Sequence, residues 1–390
     1  SSTTCPAAAH RVRGAHAVVE ANAKIMQLRS QEKAEIERIL IAFTEQVASI
    51  EPMFNFSYKA MLDIDVLLAK AHLALEQKER FEADNVEIPG VILEEENDEE
   101  REIRITTVKI ETENGAKIMK KPVGTYITME APNMAVPDED YHQEIAEELA
   151  RYLGRFLEPV KTDKKEYSVL VAGLGNRKVT PDALGPYVVD NLNISRHIVK
   201  EYGRYAMGED EVQMVSAVVP GVMGQTGMET VEIIRGIIGE TKPDLLIVID
   251  ALAARSSRRL NRTIQISDAG IHPGSGVGNY RSGITKETVG VPVLAIGVPT
   301  VVDAATIVND TMENLIRALE SSETLKGVGV VLQGYNAAEK YELVKELISP
   351  HLNGLFVTPK DIDETVKRIS YTISEALNTL FSSGHAHNPS

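Results

Sequence analysis

The chain has 390 residues, 43% of them hydrophobic and 25% charged, which is typical of a globular protein of two or three domains rather than a disordered or fibrous one. Its formal charge of −16 disfavours direct nucleic-acid binding, because such an interface needs a basic face. The single cysteine, Cys5, excludes an intrachain disulfide and a cysteine-based metal cluster.

The sequence also bears on location. No apolar run reaches the roughly 18 to 20 residues that a membrane-spanning helix needs, so we expect no membrane partner. The first residues lack the basic-then-apolar order of a secretory signal. A chain with a single cysteine has no intrachain disulfide of the kind found in oxidising compartments, so we expect it in the reducing cytoplasm.

Residues 1–80 are predicted to form a helical N-terminal extension, with two amphipathic helices joined near Pro52. In the first helix the apolar residues fall on one stripe, with charges opposite: Ile36, Ile39, Leu40, Phe43, Val47 and Ile50. This pattern favours a helical hairpin used for packing or oligomerisation.

Residues 81–160 are predicted to form a small β-rich element followed by a connecting helix. Period-two stretches such as "IRITTVKIET" and "GTYITMEA" indicate strands, and the acidic run "EEENDEER" indicates a solvated hairpin tip. The helix is expected in "EDYHQEIAEELARYLGRFLEP".

Residues 161–380 alternate short apolar strands with helical stretches, and residues 381–390 are predicted to be a disordered tail. Near-continuous apolar strands between helices predict an α/β fold, with a mostly parallel sheet covered by helices on both faces.

Four polar stretches follow predicted strands, at residues 173–186, 220–230, 249–259 and 270–279. Ligands of such sheets bind at the carboxyl ends of the strands. The glycines of the first stretch do not complete a dinucleotide fingerprint, because Lys178 stands where a third glycine is needed, and there is no phosphate-binding loop. We therefore expect no nucleotide cofactor.

Two of these stretches carry aspartates that converge if their strands are neighbours. Asp182 lies in the loop after the first strand, and Asp250 ends "LLIVID". Two close carboxylates share one proton, so one can activate water while the other donates to a carbonyl oxygen. Two alternatives stay open: Asp182 caps the next helix, or Asp250 is satisfied by backbone N–H groups.

Other catalytic chemistries have weaker signals. His272 with the two aspartates is a possible ligand set for a divalent metal. A serine hydrolase is disfavoured, because "GSGVG" is not the nucleophile motif G-x-S-x-G.

Several long segments between about residues 73 and 380 resemble the germination protease family of spore-forming Firmicutes. They include "GLGNRKVTPDALGPYVVDNLNISRH", "VPGVMGQTGMET" and "PDLLIVIDALAARSSRRLNRTIQISDAGIHPGSGVGN". The resemblance implies a cofactor-independent, aspartic-type endopeptidase that initiates degradation of small acid-soluble spore proteins during germination. It further implies a homotetramer made as a self-processing zymogen, located in the forespore or spore core, with a fold similar to hydrogenase maturation proteases.

The family's catalytic aspartates lie in motifs that match "TPDALGP" and "IDALAAR" here, so the resemblance assigns catalysis to Asp182 and Asp250. For substrate binding we expect the backbone around Gly224 and Gly274, with His272. A basic patch of Arg255, Arg258 and Arg259 is a candidate for holding acidic substrate segments, which the rest of a chain of charge −16 would repel; the favoured alternative for these arginines is a solvated surface without a substrate role.

The N-terminal region departs from the family. In the family, the region near the processing site carries an R-T-D-L-A-type stretch. At the matching positions this chain has Lys70, Ala71, His72, Leu73 and Ala74. Residues 15–77 instead resemble a helical fragment of a MutS-related protein. Two alternatives to the aspartic-type enzyme remain. One is a metal-dependent peptidase of the hydrogenase-maturation type. The other, which the different N-terminal region suggests, is an inactive interaction protein.

Overall fold

The computed structural model describes residues 88–163, 167–203, 213–274, 281–320 and 354–382, and five isolated helical positions between residues 24 and 38. The chain divides into two compact units, residues 1–67 and 68–390, and only the second is described beyond isolated positions. The predicted N-terminal hairpin and its joint near Pro52 lie outside the described residues. In the described part, no helix is long and apolar enough to cross a membrane.

Nine strands are described. They are β1 (Val91–Asp98), β2 (Ile103–Ile110), β3 (Gly124–Glu130), β4 (Ser168–Gly173), β5 (Met214–Val218), β6 (Leu245–Ala254), β7 (Thr263–Ser267), β8 (Val293–Asp303) and β9 (Phe356–Val357).

The described helices lie between and after these strands. They are α1 (Glu113–Met119), α2 (Glu139–Asp163), α3 (Leu184–Asp190), α4 (Arg196–Tyr202), α5 (Met223–Thr226), α6 (Thr230–Thr241), α7 (Lys286–Val289), α8 (Ala304–Glu320) and α9 (Ile362–Ser382). The predicted tail begins too early, because Phe381 still packs in the core at the end of α9; residues 383–390 lie outside the described part.

All nine strands belong to one sheet, in the order β1-β2-β3-β7-β8-β6-β4-β5, with β9 paired to β8. Strands β5, β4, β6 and β8 are parallel, as expected for strands joined through helices. The other described pairings are antiparallel, so the prediction of a mostly parallel sheet is wrong for this half. The reason is connection length: residues 255–262 are too few for a helical crossover between β6 and β7.

The predicted β-rich element is continuous with the main sheet. Strand β3 pairs with β7 from Tyr126 opposite Ser267 to Glu130 opposite Thr263. The segment boundary near residue 160 stays a prediction.

Helices cover both faces of the sheet, which confirms the α/β class. On one face the strands pack against α2, α3 and α9, through residues such as Leu153, Val188 and Leu377. On the other face β4 and β6 pack against α6 and α7, through Ile234 and Val289. The parallel strands are thus apolar on both sides, and a charged group within them stands out.

The start of α3 lies directly against the end of β4 and the middle of β6. The Leu174 N–H donates to the Ile249 carbonyl at 2.8 Å. A Cβ atom at Gly185 would lie 2.5 Å from the Leu174 nitrogen and 2.6 Å from the Ile249 oxygen. Only glycine permits this approach, which brings the turn before α3 to the carboxyl edge of the sheet.

Helix α9 holds α3 in this position. The Ser370 hydroxyl lies 3.3 Å from the Leu184 carbonyl at the start of α3. Beyond its other end, the Asn378 amide donates to the Asn191 carbonyl and its oxygen accepts from the Asn193 N–H, at 3.0 and 2.9 Å. Because the backbone at both ends is bonded to α9, α3 is fixed against the sheet.

We predict that Gly185→Ala destabilises the protein whereas Gly236→Ala stabilises it. The added methyl group at Gly185 meets backbone atoms, and such overpacking costs about 1 to 3 kcal/mol. Gly236 lies within α6 and a Cβ atom there meets nothing within 4 Å, so the alanine gains about 0.5 to 1 kcal/mol of helix propensity. Urea denaturation measures both, and equal effects of the two changes would contradict the close approach.

Candidate functional site

Asp250 is a buried carboxylate within a core strand. It follows the apolar run of β6, and it is only 6% exposed. Because side chains alternate along a strand, Asp250 points to the same face as Leu246 and Val248, towards the side that carries α6 and α7. The Ala251 N–H donates to Asp250 Oδ1 at 3.0 Å. The alternative in which backbone N–H groups satisfy Asp250 is therefore correct for this one hydrogen bond.

Asp182 ends a 3-10 turn, Thr180–Asp182, in the loop between β4 and α3. Its Oδ2 accepts the Asn176 N–H at 2.7 Å. The loop is tight: Gly175 has φ of +112°, and a Cβ atom there would lie 1.8 Å from the Asp182 carbonyl oxygen. The helix-cap alternative is wrong, because the N-cap of α3 is Ala183 and no side chain caps this helix.

The structure brings the two aspartates together where β4 ends beside the middle of its neighbour β6. Gly173 of β4 is in register with Ile249 of β6, so the chain leaves β4 beside Asp250. The Asp182 carboxylate is close enough that its charge raises the pKa of Asp250. The convergence expected from the strand order is therefore present.

Burial is the main cause that raises the pKa of Asp250, and with the Asp182 charge it brings the value to about 7. The Ala251 N–H and the positive charge of Arg281 oppose this rise. Burial also raises the pKa of Asp182, against the Asn176 N–H and the same arginine. Since Asp250 is the more deeply buried, its neutral form is favoured more strongly than that of Asp182.

Two residues near the pair were missed from the sequence. Arg281 affects both carboxylates but lies two positions beyond the glycine-rich stretch 270–279. Asn176 binds Asp182 through its N–H, and its side-chain oxygen accepts from the Lys178 N–H at 3.0 Å and the Gln225 amide at 3.1 Å. An asparagine directly after a glycine turn is a signal that could have indicated this role.

The expected substrate-binding residues are more dispersed. Gly224 lies in α5, is exposed, and has open space where a Cβ atom would lie. Gly274 has φ of +74° at the last described position before residues 275–280. His272 is exposed, and its ring lies against Gly283 across the bridge of Ile271 and Ile284. Their roles stay predictions.

The metal alternative has no ligand set in the described ranges. No group of three or more histidine, cysteine, aspartate or glutamate side chains there could hold a metal ion. The two aspartates alone are too few for a structural or catalytic zinc site.

The expected basic patch is differently composed. Arg255 is exposed, and Arg258 is exposed and donates to Asn314 at 3.1 Å. Arg259 is buried and lies 3.9 Å from Glu130. Lys121 also belongs here: burial, together with the charges of Arg259 and Arg255, lowers its pKa to about 8. The patch is therefore a cluster of like charges, only partly exposed.

We predict that Asp250→Asn stabilises the protein more at pH 8 than at pH 5. The unfolded chain loses the Asp250 proton near pH 4, whereas the folded chain keeps it up to about pH 7. Native stability therefore falls as pH rises between these values, by about 1.4 kcal/mol for each unit of pKa shift. Asparagine removes this loss, and urea denaturation at both pH values measures it.

The matched control is Asp190→Asn, at the exposed end of α3, where the carboxylate binds Arg177. Its effect on unfolding should be the same at pH 5 and pH 8. An Asp250→Asn effect that is equally independent of pH would contradict the raised pKa.

Comparison with known proteins gives the family. Residues 68–324 match the family model for germination proteases. A germination protease of Caldanaerobacter subterraneus subsp. tengcongensis is 49% identical over 322 residues, covering 82% of this chain and 96% of that relative. One from Clostridium perfringens is 42% identical over 311 residues, covering 79% of this chain and 94% of that relative.

A solved structure, the NiFe hydrogenase maturation protease HycI from Thermococcus kodakarensis, matches 57% of this chain and 98% of its own at 18% identity and a TM-score of 0.26. A match this weak carries no argument about the fold. The resemblance of residues 15–77 to a MutS-related protein receives no support from these matches. The family model and the two curated relatives show that the chain belongs to the germination protease family.

Proposed function

We propose that this chain is an aspartic-type endopeptidase that initiates degradation of small acid-soluble spore proteins during germination. Its place would be the forespore or spore core, its assembly a homotetramer, and it would need no cofactor. Family membership supports the peptidase activity and the role in germination. The single observation that carries the mechanism is that the buried Asp250 lies close enough to the half-buried Asp182 for the charge of Asp182 to raise its pKa.

In the proposed mechanism, ionised Asp182 is the base and protonated Asp250 is the acid. Asp182 takes a proton from water as the water oxygen bonds to the scissile carbonyl carbon, and Asp250 donates its proton to the carbonyl oxygen. On collapse, the C–N bond breaks, Asp182 returns its proton to the leaving nitrogen, and the new hydroxyl returns a proton to Asp250. Both side chains end as they began.

The surroundings support this division of roles. Asp250 lies in an apolar strand, where the neutral acid is favoured. Asp182 is half-buried and receives the Asn176 N–H, which favours its ionised form. Arg281 adds positive charge near the place where the carbonyl oxygen develops negative charge.

The partly exposed cations outside the pair fit acidic substrate segments. Arg255 and Arg258 are exposed, and Lys121 lies close enough to Arg255 for their charges to interact. Such a cluster offsets locally the repulsion expected from a net charge of −16.

We predict that Asp182→Asn and Asp250→Asn each lower kcat by about 100-fold or more, because each removes one partner in proton transfer. Cleavage of a purified small acid-soluble spore protein, followed by electrophoresis, measures this. Asp190→Asn, with its carboxylate at the exposed end of α3, should keep wild-type turnover.

Full turnover in both variants would end the acid–base proposal. The same assay addresses the two alternatives. Loss of wild-type activity in EDTA, restored by a divalent ion, would favour a metal-dependent peptidase. A folded wild-type chain that yields no fragments would favour an inactive interaction protein.

We further predict a bell-shaped dependence of kcat/KM on pH. Activity falls as pH rises through about 7, because Asp250 then loses the proton that it must donate. On the acid side it falls when Asp182 becomes protonated, at a pH above the ordinary aspartate range, because burial raises its pKa. A profile that stays flat from pH 6 to pH 9 would contradict the assignment of Asp250 as the acid.

A further inference from the structure

Strand β8 contains one extra residue beside β6. The register pairs Leu252 with Pro299 and then Ala253 with Val301, so Thr300 has no partner on β6. A bulge of this kind redirects a side chain, and bulges are frequent next to active sites. Thr300 is only 1% exposed, so its hydroxyl group needs a hydrogen-bond partner within the protein.

The partner lies in the turn that carries Asp182. The Thr300 hydroxyl donates to the Pro181 carbonyl at 2.6 Å, across 119 positions of sequence. Pro181 directly precedes Asp182 in the 3-10 turn. The turn is therefore held from two directions: by the Asn176 N–H on the carboxylate, and by β8 on the preceding peptide.

The strand that supplies this bond is also the neighbour of Asp250. Asp250 of β6 is in register with Gly297 of β8, three residues before Thr300. One rigid strand thus pairs with the backbone of Asp250 and binds the turn of Asp182. This arrangement links the turn of Asp182 to the backbone beside Asp250 through β8.

We propose that Thr300 is a positioning residue that holds Asp182 opposite Asp250 through the Pro181 carbonyl. The proposal rests on the function proposed above, in which these two aspartates exchange protons with the substrate. Thr300 itself contacts neither water nor substrate in this role. Its hydroxyl group is the feature that matters, and its bulk is secondary.

The test compares Thr300→Val, which keeps the shape and removes the hydroxyl, with Thr300→Ser, which keeps the hydroxyl. We expect Thr300→Val to lower kcat by at least about tenfold with little change in KM, because small misplacements of reacting groups are costly. Thr300→Ser should stay within about threefold of wild type. If Thr300→Val does not fold, Thr300→Ala takes its place in the test. Alanine adds no methyl group beside the carbonyl, and it should lower kcat by at least about tenfold for the same reason.

The control is Thr372→Val in α9. Thr372 is as buried as Thr300, and its hydroxyl bonds His142 of α2 at 2.7 Å rather than the turn of Asp182. This change should lower stability without lowering kcat per folded molecule.

The dependence of kcat/KM on pH distinguishes positioning of Asp182 from a general loss of stability, because a loss of stability alone would not shift its alkaline limb. In Thr300→Val the Asp182 charge lies farther from Asp250, so the alkaline limb should move to lower pH. The charged groups that act on Asp250 are Asp182 and Arg281, and only the first is displaced. Thr372→Val should leave this limb unchanged.

Three outcomes separate the positioning role from the proposed function. If Thr300→Val keeps the wild-type kcat and alkaline limb while Asp182→Asn is inactive, the positioning role is overturned and the proposed function stands. If Thr300→Val loses kcat only in proportion to its folded fraction, as the Thr372 control would, the positioning role is likewise overturned. If Asp182→Asn and Asp250→Asn both keep full turnover, the proposed function itself fails.

Discussion

The site depends on the burial of two carboxylates that cannot both be ionised cheaply. Asp250 lies in a strand whose other residues are all apolar: leucine, isoleucine, valine or alanine. Removing a carboxylate from water disfavours its charge, and the nearby charge of Asp182 disfavours it further. Asp250 therefore favours its protonated, neutral form. In the proposed mechanism this proton makes Asp250 an acid near neutral pH, so the feature that destabilises the fold is the one that the proposal uses for catalysis.

The remainder of the sheet can be understood as support for this pair. The glycine at residue 185 lets α3 approach the end of β4 and the middle of β6, and α9 fixes α3 at both ends through Ser370 and Asn378. A site held by strands and packed helices keeps its geometry better than one carried by loops alone. The Asp182 turn belongs to a loop, yet hydrogen bonds from Asn176 and Thr300 give it partners on both sides.

The sequence predicted this pair because Asp182 lies in the loop after one apolar strand and Asp250 ends the apolar run "LLIVID" of another, and such positions meet when the strands are parallel neighbours. It also predicted the α/β class with helices on both faces. It did not predict the antiparallel half, because alternating segments such as "RTIQIS" read the same in either strand direction. The short connection at residues 255–262 was the available signal. Thr300 could not be singled out, since it lies inside an apolar run and its role depends on a bulge.

The two aspartates have the same chemical group, so their division of roles must come from their positions. Asp250 lies in a strand between apolar neighbours and keeps one backbone N–H, whereas Asp182 lies in a half-buried loop. Arg281 lowers the pKa of both and so cannot distinguish them. What distinguishes them is depth: Asp250 is buried, which favours its neutral form, whereas Asp182 is only half-buried. The roles of acid and base that we propose therefore follow from the difference between a strand and the loop that leaves its neighbour.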